Sequence, residues 1–151
     1  MKRSEFKKYE AIARQKLTEA GIPILPDAQF RIASYGLNNF EKVGMALITR
    51  INEPEYCSKW LILLPGQQCP EHHHKLKKET FFCHKGEVTL TLPNKTIILK
   101  PGEHYTLEAG TKHTFSSKDG AIVEEISTHD SLSDSFFSDK NVVTGLPVED
   151  D

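Results

Sequence analysis

The sequence predicts an all-β domain, an antiparallel sandwich or barrel, with one helix ahead of it. From about Phe30 onward, short apolar segments separated by turn residues recur at regular spacing, the signature of many short strands. Val88-Thr89-Leu90-Thr91-Leu92 alternates strictly, which puts one strand face in a core and the other in water. Pro93-Asn94, Pro101-Gly102, Ala109-Gly110 and Asp119-Gly120 punctuate the segments with turn chemistry.

The elements follow in order. Ser4 is placed to cap a helix whose apolar residues Phe6, Tyr9, Ile12, Ala13 and Leu17 recur at helical spacing, and Gly21 ends it. Its apolar face is expected to pack on the body of the domain. Pro23 and Pro26 then interrupt the chain. Strands are expected over 44–51, 59–64, 80–84, 87–92, 96–99, 104–107, 114–116 and 121–127. The division is therefore helix and linker over 1–29, barrel over 30–140 and a polar tail over 141–151. The segment after Asp130 is rich in Ser and Asp and is expected to wrap the surface and fray at its end.

Composition narrows the function classes. The chain has 151 residues, the size of one domain. Lys+Arg number 19 against 21 Asp+Glu, a formal charge of -2, which argues against nucleic acid or an anionic membrane as partner. The apolar run Leu61-Ile62-Leu63-Leu64 is far too short to span a bilayer. Met1-Lys2-Arg3 leads into no apolar stretch, so no secretory signal is expected. Cys57, Cys69 and Cys83 are odd in number and widely spaced, which reads as reduced thiols in the cytoplasm.

Four of seven histidines fall between His72 and His84. In a strand, residues two apart share a face, so His72 and His74 point one way and His73 the other. Two imidazoles plus a returning carboxylate make three ligands for Mn, Fe, Co, Ni or Zn. His113, on a distant segment, is the candidate fourth. The alternative is a chance basic cluster beside Lys75, Lys77 and Lys78. His84 and His104 have no spaced partner and read as structural or surface residues, and His129 lies in a polar segment.

Gly66-x5-His72-x-His74-x4-Glu79-x6-Gly86 resembles the first cupin motif at every defining position. Gly102-x5-Glu108-x-Gly110-x2-His113 resembles the second, with Glu108 where the family usually has Pro and Ser117 where it often has Asn. The resemblance implies a cupin barrel, a double-stranded β-helix or jelly roll, and metal ligands His72, His74, Glu79 and His113. It extends further. Tyr56-Cys57-Ser58-Lys59, Pro65-Gly66-Gln67-x-Cys69-Pro70-Glu71, Lys77-x-Glu79-Thr80-Phe81, Thr111-Lys112-His113-x-Phe115, Glu124-Glu125-Ile126-Ser127 and Phe137-x-Asp139 are similar to the cupin-type D-lyxose isomerases. That family implies Mn²⁺ chemistry interconverting D-lyxose and D-xylulose, with Zn²⁺, Co²⁺, Ni²⁺ or Fe²⁺ as other ions for the site. It also implies catalytic Lys77, acid/base Glu125 and a second lysine, Lys59. An arginine of larger members has no match here, since Phe136 falls at that place.

Aldose–ketose isomerisation through a cis-enediol needs an electrophile for the enediolate charge, together with a general acid and a general base. A lysine beside a cation should have its pKa lowered and a glutamate in an apolar barrel its pKa raised. Lys77 and Glu125 are accordingly expected to carry opposite shifts and to flank the reacting carbons. Along the strand, Val123, Glu125 and Ser127 share one face, and Ile122, Glu124 and Ile126 the other; the pattern alone does not say which is inside. Two other readings stay open on the same four ligands: an Fe or Ni dioxygenase, and a non-catalytic sugar- or metal-binding cupin. Short edge strands that need cover imply a homodimer, with the apolar segment 30–51 as its expected interface.

Overall fold

The computed structural model describes residues 1–151. Helix α1 (Arg3–Glu19) buries Tyr9, Ala13 and Leu17 at helical spacing. Its start differs from expectation. The N-cap is Lys2 without a side-chain cap, and Ser4 lies inside the first turn, its N–H donating to Asp151 Oδ1 at 3.1 Å. The C-terminus is not frayed; it supplies the acceptor that Ser4 was expected to provide. At the other end, Gly21 takes the left-handed φ of 74° that a helix terminus favours.

Eleven strands follow: β1 (Phe30–Ala33), β2 (Met45–Asn52), β3 (Cys57–Leu63), β4 (Gln68–His73), β5 (Glu79–Gly86), β6 (Val88–Leu92), β7 (Lys95–Leu99), β8 (His104–Leu107), β9 (His113–Ser116), β10 (Ala121–Ser127) and β11 (Phe136–Phe137). They form two sheets, ordered β1-β2-β3-β10-β5-β8 and β11-β4-β9-β6-β7. All pairings between the strands are antiparallel. This is the all-β barrel with an N-terminal helix. Strands β1, β4 and β11 lie outside the segments singled out by apolar pattern.

Period-two alternation sorts the side chains. Val88, Leu90 and Leu92 of β6 face the interior, where they meet Leu61, Leu63, Phe81, Phe115 and Val123 from four other strands. Strand β3 is buried along all seven residues, because a second apolar layer covers its outer face. There Trp60 and Ile62 join Ala46, Ile48, Ile122 and the α1 residues Ala13 and Leu17. The apolar residues of 30–51 are largely consumed in these two layers; Phe30, Met45, Ala46, Leu47 and Ile48 are all buried within the chain. An apolar docking face is therefore not what that segment offers. What it leaves open is β1, the edge of the six-stranded sheet.

Candidate metal centre and active site

Strand β4 delivers the first two ligands. Its pairing with β9 is irregular between Cys69 and His72, at Pro70, which has no N–H to give to a ladder. His72 and His74 turn inward. His73 turns outward and stacks on Phe136 with ring centroids 5.3 Å apart. Glu79 opens β5 and His113 opens β9, so both lie at the barrel end where β4 finishes. One ligand atom from each of His72, His74, Glu79 and His113 lies within 4.8 Å of the others, and all four residues are buried.

The hydrogen bonds settle which nitrogen faces the centre. Nδ1 of His72 lies 2.9 Å from Pro70 O, Nδ1 of His74 2.9 Å from Asp134 O, and Nδ1 of His113 2.9 Å from Thr111 O. A carbonyl only accepts, so each Nδ1 carries the proton and each Nε2 presents a lone pair. Burial, then the neighbouring His113, pulls the pKa of His72 down to about 3, and burial lowers that of His74. The His72 and His74 rings are neutral at ordinary pH. Yet His113 Nε2 sits 3.1 Å and His74 Nε2 3.5 Å from Glu79 Oε1, lone pair against carboxylate. Both Glu79 oxygens and His113 Nε2 are buried without a hydrogen-bond partner. Buried acceptors turned on one another are unfavourable unless a cation lies between them. Imidazole nitrogens held by carbonyls, plus a carboxylate, form the donor set and tautomer arrangement of a first-row divalent site.

A cluster of charged groups adjoins the ligands. Lys77 Nζ lies 3.1 Å from Glu79 Oε2, 3.6 Å from Glu125 Oε2 and 2.8 Å from Asp130 Oδ1. Lys59 Nζ lies 2.7 Å from Asp130 Oδ2 and 3.9 Å from Glu125 Oε2. Lys59 and Glu125 are register partners on β3 and β10, which places the inward face of β10 in the site. Val123, Glu125 and Ser127 point into the barrel, while Ile122 packs under the helix and Ile126 is exposed.

The two shifts do not run in opposite directions. Burial, then the charge of Glu79, pushes the Glu125 carboxyl up to about 7, as expected. Burial draws Lys77 down, but Glu125, Glu79 and Asp130 outweigh it and hold the ammonium above the ordinary lysine value. Nor do Lys77 and Glu125 stand on opposite sides of a gap; at 3.6 Å they are neighbours. Both differences follow from three carboxylates, Glu125, Glu79 and Asp130, gathered around one ammonium by the fold.

Asp130 and Asp134 are the residues that sequence reasoning missed. Asp134 sits in a single 3-10 turn, Leu132–Asp134, and is buried. Its carboxylate accepts the backbone N–H groups of Lys75, Leu76 and Lys77 at 2.9–3.2 Å, and its carbonyl holds His74. The Ser/Asp composition of this segment resembles any surface tail, and only the fold brings it against the ligand loop. His84 and His104 lie on the outer face, against Trp60 and Phe82 at 5.4 and 5.0 Å. Glu108 is exposed and pairs with Lys78 at 3.2 Å.

Lys59, Lys77, Glu125, Asp130, His72 and His74 line one cavity of about 280 Å³, whose remaining wall is mainly apolar and includes Tyr35, Phe137 and residues 143–148. A cupin domain model matches residues 59–127, which span the ligand set together with Lys59, Lys77 and Glu125. The D-lyxose/D-mannose isomerase of Thermosediminibacter oceani is 32% identical over 99% of this chain and 99% of that protein. The chain belongs to the D-lyxose isomerase family of cupins. The D-lyxose ketol-isomerase of Cohnella laeviribosi is 33% identical over 94% of each chain. The fold is shared more widely than the sequence. The L-ribose isomerase of Cellulomonas parahominis, solved with L-ribose, superposes on the whole chain and 98% of its own at a TM-score of 0.83 with 17% identity.

Proposed function

We propose that this cupin is a Mn²⁺-dependent aldose–ketose isomerase of the D-lyxose/D-xylulose type. The observation that carries the reading is the buried four-ligand group, of which His72 and His74 line one cavity with Lys59, Lys77 and Glu125. His72, His74, Glu79 and His113 would hold the cation, which when bound supplies polarisation of the substrate carbonyl and compensation for negative charge developing on the sugar oxygens.

The protein's own groups move the protons. With its pKa held near the operating range, Glu125 serves as base and takes the proton from C2 of the open-chain aldose. Lys77, kept as an ammonium, gives a proton to O1 and regains one from the O2 hydroxyl. Glu125 then returns its proton to C1, and the ketose results with atoms and charge balanced. Lys59 donates a hydrogen bond to a substrate oxygen. The remaining wall is mainly apolar, and lower local polarity strengthens these interactions. A buried pair of lysines among carboxylates is machinery for proton transfer, and it favours the isomerase over a dioxygenase or a binding protein on the same ligands.

The structure has no helix long and apolar enough to cross a membrane, and its three cysteines are free and buried. We read the chain as cytoplasmic and homodimeric, with the open edge of β1 at the interface; light scattering at micromolar concentration should give twice the monomer mass. The function is tested with a sugar panel, using protein stripped by chelator and reloaded with single divalent cations. D-Lyxose should give D-xylulose only after reloading, best with Mn²⁺, and without O₂ uptake. Oxygen consumption, or no isomerised sugar with any cation, would refute it.

A further inference from the structure

Asp130 lies three residues beyond β10, in a stretch otherwise exposed at Thr128 and His129, yet that stretch is fastened from two sides. Toward the ligand loop, Thr128 N–H donates to Lys78 O at 3.0 Å, and Lys78 N–H donates to Thr128 Oγ1 at 3.1 Å. Toward the end of β2, Asp130 N–H donates to Asn52 Oδ1 at 3.0 Å, Asn52 Nδ2 donates to Asp130 O at 2.9 Å, and His129 Nδ1 lies 3.1 Å from Glu53 O. Asn52 thus grips the backbone of Asp130 by both its N–H and its C=O. The carboxylate so held is divided between two ammonium groups, Oδ2 to Lys59 at 2.7 Å and Oδ1 to Lys77 at 2.8 Å. These are the shortest polar contacts either lysine makes; Glu125 is 3.9 and 3.6 Å away from them.

We propose that Asp130 is the positioning residue for the isomerisation, fixing Lys59 and Lys77 as a pair at one end of the cavity, with Asn52 setting its place from outside. The assignment rests on the isomerase reading for its consequence and on the geometry alone for its cause. Two flexible lysine stems would otherwise repel each other, and charge-assisted hydrogen bonds to one rigid carboxylate remove that freedom. Asp130 lines the same cavity, but both its carboxylate oxygens are taken up by the two ammonium groups, so it acts through them. A fixed donor pair matters most where charge develops, so its loss should appear in kcat before KM.

The test compares Asp130→Asn, Asp130→Ala and Asn52→Ala with wild type, all loaded with Mn²⁺ and matched for metal content. Turnover of D-lyxose is followed together with acetylation of Lys59 and Lys77 by acetic anhydride, read by peptide mass spectrometry. Asp130→Asn keeps the shape and loses the charge, so a mere space-filling role would leave it near wild type. The expected result is a loss in kcat of roughly 10–100-fold with KM within about threefold, and faster acetylation of both lysines. Asn52→Ala, which keeps the carboxylate but frees its backbone, should shift both readouts the same way by less. Wild-type kcat in Asp130→Asn, or unchanged labelling of both lysines in both Asp130 variants, would overturn the assignment. If wild type itself does not turn over D-lyxose, the isomerase reading fails separately, and the labelling alone decides whether Asp130 fixes the lysines.

Discussion

Glu124 and Glu125 are adjacent residues of identical chemistry, and only the pleat of β10 separates their surroundings. Glu124 faces outward and pairs with Arg50 at 3.2 Å; Glu125 is buried against Lys77 and Lys59. The alternation itself was legible, but each face carries apolar residues, so the inward face is decided by α1 covering Ile122. Replacing Glu125 by Gln, or Lys77 by Ala, should lower turnover by ~10²–10⁴-fold with metal content unchanged by elemental analysis. Solvent deuterium should enter C1 of the ketose in wild type; full activity in both variants would remove these residues from the proton path. The raised pKa has a stability consequence of definite sign. A carboxyl that titrates at about 7 when folded and near 4.5 when unfolded holds its proton more tightly in the native state, so its contribution falls as pH climbs through that window. Metal-free Glu125→Gln should therefore gain on metal-free wild type between pH 5 and pH 8, by about 1–3 kcal/mol in urea denaturation.

The elements explain why some motif residues were visible and others were not. Spacing in a strand follows from covalent geometry, so the two-residue interval of His72 and His74 gave away a shared face. The motif glycines are legible in the sequence as well, though for different physical reasons. Gly86 has φ of 80°, and a Cβ there would meet Gly120 O at 2.2 Å. Gly102 also has a left-handed φ, 91°, but open space around it. Gly86→Ala should cost several times the ~1 kcal/mol expected of Gly102→Ala, where only the backbone conformation is strained; equal denaturation midpoints for the two would show that the close approach is not real. Asp134 was illegible for the opposite reason. It acts across nearly sixty residues on the backbone of 75–77, and no local pattern announces such a contact. Asp134→Ala leaves those N–H groups without their acceptor and should weaken Mn²⁺ binding by ~10–100-fold, the effect usual for an outer-shell partner, measured by competition with a chromophoric chelator.

Across the whole molecule, the ligands come from the end of β4 and the residue just past it, from the start of β5 and from the start of β9, so the site joins both sheets. The chain ends are joined as well: Arg3 N–H donates to Glu149 O at 2.8 Å and Glu149 N–H to Met1 O at 3.0 Å. That union of tail and helix was not readable from an acidic, Ser-rich C-terminal stretch. The fold class was, because each strand advertises itself by alternation while the sheets need only pack them. A site that spans two sheets ties metal affinity to global stability. In the metal-free protein, Glu79 Oε1 faces Nε2 of His74 and His113 at 3.5 and 3.1 Å inside the barrel, and only its other oxygen has a cationic neighbour, Lys77 at 3.1 Å. A divalent cation that binds the native state alone adds about 4 kcal/mol at a thousandfold excess over Kd. For a domain of this size each kcal/mol moves the midpoint by ~2–4 °C. Chelation should therefore lower Tm by roughly 8–16 °C, and calorimetry should show it restored by Mn²⁺. Glu79→Gln should abolish the Mn²⁺-dependent rise while leaving the metal-free midpoint at or above that of metal-free wild type, because an amide can donate to the imidazole lone pair that the carboxylate opposes. A metal-free wild type as stable as the loaded protein would mean that the four groups are not a cation site.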